Sequence, residues 1–129
     1  MENLFTPATP SSPEVDFRFD EHLLSLKGES YPENAAAFYG GLMVALRQYL
    51  NQAEHPEPIT LNVALVYFNS SSTKMLFALF GALDEKAKSG KKVILNWYHD
   101  IDDDTIFEFG QELRDDFSHL EFHDRPVQN

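Results

Sequence analysis

Cysteine is absent from this chain of 129 residues. Without thiols the protein can form no disulfide bond, no thiolate metal site and no cysteine nucleophile, and the composition suits a reducing compartment. Long apolar runs are missing as well, because no stretch approaches the roughly 20 residues that cross a bilayer. The first ten residues lack the basic start and apolar segment of a signal peptide. These absences predict a cytoplasmic protein.

Positive charge is also scarce. Ten lysines and arginines stand against 21 acidic residues, which gives a formal net charge of −11 and an isoelectric point of about 4.7. Such a chain repels phosphate backbones and anionic lipids, so nucleic acids and membrane surfaces are poor candidate partners. The length suits one domain, and a hydrophobic content of 43% with 11 phenylalanines supplies material for a core.

The motifs of common enzyme classes are missing too. The sequence has no Gly-x-Ser-x-Gly elbow, no Walker loop and no dinucleotide fingerprint. Only His119 and His123 of the five histidines are close in sequence, and a zinc site would need two further ligands. We therefore predict no metal, no other cofactor and no catalytic residue. A small acidic enzyme stays one of the functional hypotheses, although the sequence shows no acid–base pair or nucleophile to support it.

One acidic run invites a calcium interpretation. Asp100, Asp102 and Asp104 alternate as in the first half of an EF-hand loop. However, Thr105 stands where that loop needs glycine, and Gln111 stands where it needs a bidentate glutamate. The run is better interpreted as a solvated helix start, with its acids at the positive end of the helix dipole. A weak contact with a divalent ion remains an open alternative.

Short apolar patterns predict the strands. Residues 15–19 alternate apolar and polar side chains, and Leu24 and Leu26 follow an acidic turn, which predicts a β-hairpin. The run Ile59–Phe68 is apolar on both alternating faces, which predicts a central strand covered on both sides. Two further strands are predicted at Val93–Tyr98 and, shorter, at Leu120–His123.

Three helices are predicted between these strands. The first begins in segment 30–34, where Ser30 and Asn34 are competing caps. The second runs from about Ser72 to Ser89 and is followed by Gly90, a typical C-terminal residue. The third opens with the acidic run.

The order ββαβαβα, with a possible final β, predicts the fold class. Strands that alternate with helices indicate a single α/β domain with helices packed on a mixed sheet. The domain is expected to span residues 15–124. Residues 1–14, rich in Pro, Ser and Thr, are expected to form a flexible lead-in, and residues 125–129 a C-terminal tail.

A cluster of hydroxyl residues lies where the long strand gives way to the second helix. It reads Asn69-Ser70-Ser71-Ser72-Thr73. Capping needs only one residue, and we assign that role to Ser71 or Ser72. The remaining hydroxyls have the character of a phosphorylatable switch, because a phosphate on Ser70 would meet the helix dipole and lie near Lys74.

A serine cluster at such a turn resembles the STAS domains of anti-sigma-factor antagonists. Those domains carry Asp-Ser-Ser-Gly at this place, and the first serine is phosphorylated. This chain has Asn69-Ser70-Ser71-Ser72 instead. The resemblance implies, as one alternative, a partner-switching antagonist that acts on an anti-sigma factor.

A closer resemblance comes from three motifs in order. The segments Ser30–Asn34, Leu65–Lys74 and Trp97–Asp100 look like the SiaC family of biofilm-regulation phosphoproteins, over about Phe17 to Phe122. This resemblance implies a non-catalytic, STAS-like protein that a dedicated kinase phosphorylates and a PPM-type Ser/Thr phosphatase dephosphorylates. The unphosphorylated form would bind and activate a GGDEF diguanylate cyclase, and would thereby control cyclic-di-GMP and biofilm formation.

The same resemblance assigns the site residues. In the family the acceptor hydroxyl directly follows the asparagine that ends the strand, and this position is Ser70 here. Ser71 is the runner-up acceptor. The partner-binding residues implied by the resemblance are Asn69, Ser70, Ser71, Ser72, Thr73 and Lys74.

Overall fold

Six strands form one sheet in which the spatial order of the strands follows the sequence. The computed structural model describes residues 1–52 and 55–128. The strands are β1 (Leu4–Thr6), β2 (Glu14–Arg18), β3 (Leu23–Ser30), β4 (Ile59–Phe68), β5 (Val93–Asp100) and β6 (Glu121–Val127). The helices are α1 (Ala35–Gln52), α2 (Ser70–Lys88) and α3 (Asp104–Asp116), with a single 3₁₀ turn at Phe19–Glu21. No described helix has both the length and the apolar content to cross a membrane.

The sheet is mixed, as the sequence predicts. Strands β1, β2 and β3 are antiparallel neighbours, and β3, β4, β5 and β6 are parallel neighbours. Each parallel pair needs a crossover, and α1, α2 and α3 supply the three crossovers in turn. The predicted single α/β domain, its central strand and its final strand are thus confirmed.

Only one face of β4 is buried, so the prediction of a strand covered on both sides is wrong. Ile59, Leu61, Val63 and Leu65 point into the core, whereas Val66 is 65% exposed. The buried residues of all three helices pack in the same cluster as this one strand face. Successive right-handed crossovers that advance in one direction place every helix on the same side of a sheet. No described helix therefore packs on the opposite face of the sheet.

A close contact fixes α3 against the sheet. Trp97 of β5 is buried, and its indole N–H donates a hydrogen bond of 2.9 Å to the carbonyl of Ile106. A Cβ atom at Gly110 would lie only 2.5 Å from the indole ring. Glycine at this position therefore lets the helix approach the largest side chain of the core.

Both ends of the sheet reach into segments that the sequence suggested were a lead-in and a tail. Leu4–Thr6 within residues 1–14 pairs with Val15–Phe17, and β6 continues to Val127, beyond the predicted boundary at 124. A strand of three residues is too short to show a periodicity. The added part of β6 contains Pro126, which is tolerated because β6 is an edge strand, where the missing N–H of proline costs no ladder bond.

Candidate phosphorylation site

The turn between β4 and α2 is built around Asn69. Its side-chain oxygen accepts a hydrogen bond of 2.9 Å from the N–H of Ser72, and its own N–H donates to the carbonyl of Ser30. Asn69 is therefore the N-cap, and the prediction of Ser71 or Ser72 as the cap is wrong. Asparagine caps as well as serine does, and here it stands one residue before the helix, which begins at Ser70.

The hydroxyl groups of the turn differ in access to solvent. Ser70 and Ser71 are exposed, whereas Ser72 is fully buried. Thr73 is partly buried, and its hydroxyl donates a hydrogen bond of 3.1 Å to the carbonyl of Asn69. The tertiary structure therefore leaves Ser70 and Ser71 as the accessible hydroxyls, and both were candidate acceptors from the sequence.

The start of α2 favours a negative charge. The N–H groups of Ser70 and Ser71 belong to the first turn, where a helix offers no backbone acceptor. Lys74 is exposed one turn further along, four residues after Ser70. A phosphate on either serine would therefore lie at the positive end of the helix dipole.

The interior side of the same turn holds a chain of buried hydroxyls. Ser72 accepts a hydrogen bond of 2.8 Å from Ser30, whose Oγ also lies 2.6 Å from the hydroxyl of Tyr39. Ser30 is the last residue of β3 and does not cap α1, a role that Asn34 takes by accepting a hydrogen bond from the N–H of Ala37. Sequence reasoning missed this chain because its members are distant in sequence and their spacing carries no signal.

Exposed apolar side chains gather at the edge of the sheet that carries this turn. Of the nine exposed large hydrophobic residues in the described part of the chain, six lie at the carboxyl ends of β3, β4, β5 and β6 or just beyond. We call these six the carboxyl-edge rim: Tyr31, Val66, Tyr67, Ile101, Phe107 and Val127. The rings of Tyr31 and Tyr67 pack edge to face, with ring centroids 5.8 Å apart. Exposed apolar surface of this kind is typical of protein contact sites.

The acidic run Asp100–Asp104 borders a groove of about 850 Å³ beside this rim. Asp100 accepts a hydrogen bond of 2.8 Å from the N–H of Asp102, and Asp103 caps α3 through a bond of 3.0 Å from the N–H of Ile106. These contacts are those of a turn followed by a helix start, as the sequence predicts.

Calcium is expected to have little effect on the protein. Two carboxylates of the run already accept backbone hydrogen bonds that hold them in the turn and at the helix start, and these contacts are not the arrangement of a calcium loop. Millimolar Ca²⁺ should raise the melting temperature by less than about 1 °C. Thermal unfolding with and without Ca²⁺ measures this. A saturable rise of many degrees that Asp102→Asn abolishes would show that the run is a metal site.

Closeness in sequence does not decide which histidines meet in the structure. His119 and His123, close in sequence, contact Asp84 and Glu121 separately. Instead His22 stacks on His55, with ring centroids 3.4 Å apart.

With Glu57, these two histidines form the one trio of potential metal ligands among residues 1–52 and 55–128. The geometry of this trio suits a metal ion poorly. The two stacked rings are inclined by only 18°, so their nitrogens lie in nearly parallel planes. The ammonium group of Lys91 lies 3.0 Å from Nδ1 of His55 and would repel a cation. A metal ion would therefore require both the rings and the lysine to move.

Acid is expected to destabilise the fold through His55. Burial lowers the pKa of the His55 imidazole, and the neighbouring His22 and Lys91 lower it further. The folded state then binds fewer protons than the unfolded chain, so the stability present above about pH 6.5 is lost as the pH falls. Between pH 7.5 and 5.5 the melting temperature should drop by a few degrees more in the parent than in His55→Gln. Identical pH profiles would contradict this assignment.

The fold and the turn define a class: small, single-domain α/β proteins that expose serine hydroxyls where a central strand enters a helix. Within that class, similarity to known proteins identifies the family. The model of the SiaC family, described as regulatory phosphoproteins, matches residues 6–127, and this chain belongs to that family. The resemblance seen in the sequence is thereby confirmed.

Individual relatives agree with this result. An uncharacterized protein of Pseudomonas aeruginosa (strain UCBPP-PA14) is 31% identical over 118 residues, which are 92% of each chain. A chain from the crystal structure of the P. aeruginosa diguanylate cyclase SiaD in complex with its activator SiaC is 30% identical, with a TM-score of 0.88 across 96% of this chain and 99% of that chain. The apo-SiaC crystal structure is 30% identical, with a TM-score of 0.86 across 97% and 99%.

Proposed function

We propose that this protein is a non-catalytic phospho-switch regulator whose unphosphorylated form binds and activates a diguanylate cyclase of the GGDEF class. The observation that carries the proposal is the exposed hydroxyl of Ser70 at the first position of α2, in a family of regulatory phosphoproteins. The similarity to SiaC, an activator crystallised with the cyclase SiaD, supports the choice of partner. The match over residues 6–127 favours this role over that of an anti-sigma-factor antagonist.

In this proposal Ser70 is the acceptor and Ser71 the runner-up. A dedicated protein kinase transfers the phosphate in the cytoplasm, and a PPM-type Ser/Thr phosphatase removes it. The phosphorylation state then sets the output of cyclic-di-GMP and, through it, biofilm formation. The exposed and partly exposed residues of segment 69–74 form the contact with these partners, together with the neighbouring carboxyl-edge rim, whereas Ser72 lies buried beneath them.

The physical basis of the switch is a change of charge beside an apolar contact surface. Phosphorylation adds about −1.5 to −2 charges and three strong acceptor oxygens to the start of α2. A cyclase that packs against Tyr31 and Tyr67 would have to cover this anion, since both rings lie at the same edge of the sheet as Ser70. The helix dipole and Lys74 offset this charge only in part. Covering the remaining negative charge without a cation from the cyclase costs several kcal/mol, and each 1.4 kcal/mol weakens binding about tenfold.

The test is to identify the modified residue and its effect on binding together. Pull-down of the unphosphorylated protein from native lysate, followed by mass spectrometry, should identify a GGDEF protein and a kinase. Incubation with that kinase and ATP, followed by peptide mass spectrometry, should place the phosphate on Ser70. Phosphate on Ser71, Ser72 or Thr73 with Ser70 unmodified would overturn the assignment of Ser70 as the acceptor. Equal cyclase binding by both forms would overturn the mechanism.

A further inference from the structure

Three buried hydroxyls from three different elements meet beneath the start of α2. They belong to Ser30 at the end of β3, Tyr39 on α1 and Ser72 on α2, and each of these residues is 0% exposed. Ser30 and Ser72 are 42 positions apart in sequence, yet their Oγ atoms are 2.8 Å apart. We call this arrangement the hydroxyl chain.

The direction of the hydrogen bonds makes Tyr39 the first donor in the chain. Ser30 donates its single hydroxyl hydrogen to Ser72, so it has to accept at the contact of 2.6 Å with Tyr39. Burial raises the pKa of Tyr39, and the nearby hydroxyls of Ser30 and Ser72 oppose this rise only in part. The phenol therefore keeps its proton, and with it the ability to donate, through the physiological pH range.

Ser72, the third residue of α2, is anchored on two sides. The hydroxyl of Ser72 is held from the interior by Ser30, and the N–H of Ser72 is held by the side chain of Asn69. Releasing a buried hydroxyl from such partners is costly, because polar groups are expensive to leave unpaired in a core. Ser70 and Ser71 remain on the outer side of this anchored residue.

We propose that Tyr39 is a positioning residue for phosphorylation: acting through Ser30 and Ser72, it holds the first turn of α2 so that Ser70 is presented to the kinase and Ser72 is withheld. This inference rests on the proposed function. It adds a determinant of site selectivity that lies in the core, outside the surface that the partners touch.

The variant Tyr39→Phe tests the inference because it keeps the ring and removes only the donor. Without that donor, Ser30 loses one partner, and Ser72 is held less firmly. After incubation with the cognate kinase and ATP, the initial rate of Ser70 phosphorylation should fall about fivefold, the effect of losing one buried hydrogen bond. Phosphorylated Ser72, absent in the parent, should appear in the peptide spectra.

A matched control lies on the same helix. Tyr49 is also buried, and its hydroxyl bonds to His22 at 2.7 Å, but it is ten residues, or about 15 Å, further along α1. Tyr49→Phe should also lower stability. It should nevertheless leave the initial rate of Ser70 phosphorylation unchanged and produce no phosphorylated Ser72. If Tyr49→Phe relaxes site selectivity as Tyr39→Phe does, the effect is one of general stability, and the inference is wrong.

A second variant tests whether the residues act as one chain. Ser30→Ala should reproduce the effect of Tyr39→Phe on the rate at Ser70. Combining the two substitutions should slow the reaction no further than either one alone, because both interrupt the same path. If the rate reductions of the two single variants multiply in the double variant, the two residues act separately, and the hydroxyl chain does not act as a unit.

Amide hydrogen exchange gives a measurement that needs no kinase. The N–H groups of Ser72 and Thr73 both bond to Asn69, so they report on the first turn of α2. Their exchange should be faster in Tyr39→Phe and unchanged in Tyr49→Phe. Faster exchange with no phosphate on parental Ser70 would refute the proposed function while supporting the anchor. Unchanged exchange and unchanged site distribution in Tyr39→Phe would refute the positioning role.

Discussion

Ser70→Ala is expected to bind the diguanylate cyclase equally well before and after treatment with kinase and ATP, whereas the same treatment should weaken binding of the parent at least about tenfold. The reason is local. Ser70 is exposed at the first position of α2, so alanine removes the acceptor without disturbing a buried contact. The cap is unaffected, because the side chain of Asn69 provides it. Titration of cyclase binding, with and without prior kinase treatment, measures the difference.

Two further variants sharpen this experiment. Ser71→Ala removes the neighbouring exposed hydroxyl and should behave as the parent does, losing affinity on kinase treatment. Ser70→Asp should weaken binding by less than phosphorylation does, because one carboxylate carries less charge and fewer acceptor oxygens than a phosphate. If Ser71→Ala resists the kinase and Ser70→Ala does not, the acceptor is Ser71.

Leu65→Asp is expected to unfold the domain or to lower its melting temperature drastically. Leu65 is only 2% exposed in the core face of β4, where a carboxylate would find neither water nor a cationic partner among the buried apolar residues. Such a change belongs to the most destabilising class, at about 4 kcal/mol or more, out of a total of about 5–15 kcal/mol. At this chain length that loss lowers the melting temperature by roughly 12–20 °C.

The neighbouring residue provides the control for this prediction. Val66 follows Leu65 on the same strand but points to the uncovered face and is 65% exposed. Val66→Asp should change stability by about 0.5 kcal/mol or less. Circular dichroism melts of both variants test the one-sided burial of β4 directly. A parental, cooperative melt for Leu65→Asp would refute the assignment of the core face.

The order of the elements could be predicted from sequence because it depends on local patterns. The alternation at residues 15–19 and the apolar run at Ile59–Phe68 depend on near neighbours only, and the structure has β2 and β4 at these places. The glycine at position 90 marks the end of α2 and has a positive φ of 113°. The candidate acceptors at Ser70 and Ser71 could also be found, because a hydroxyl cluster between a strand and a helix is visible in one short segment.

The sidedness of the sheet could not be predicted in this way. The apolar run Ile59–Phe68 does not reveal where the helices lie. Three successive crossovers between neighbouring parallel strands decide this, since such crossovers are right-handed as a rule and then place all helices on one face. The strand at Leu4–Thr6 was missed because its stability comes from pairing with β2 rather than from its own pattern.

The roles of the individual hydroxyls likewise depend on tertiary structure. Ser70, Ser71 and Ser72 are chemically equivalent and adjacent in the sequence. Packing of α2 on the sheet leaves the first two exposed and buries the third against Ser30 and Tyr39, which no spacing rule connects. By itself the sequence determined the three helices, the five longer strands and the place where phosphorylatable groups cluster. Only the fold decided which hydroxyl meets solvent, because exposure depends on contacts between residues that are distant along the chain.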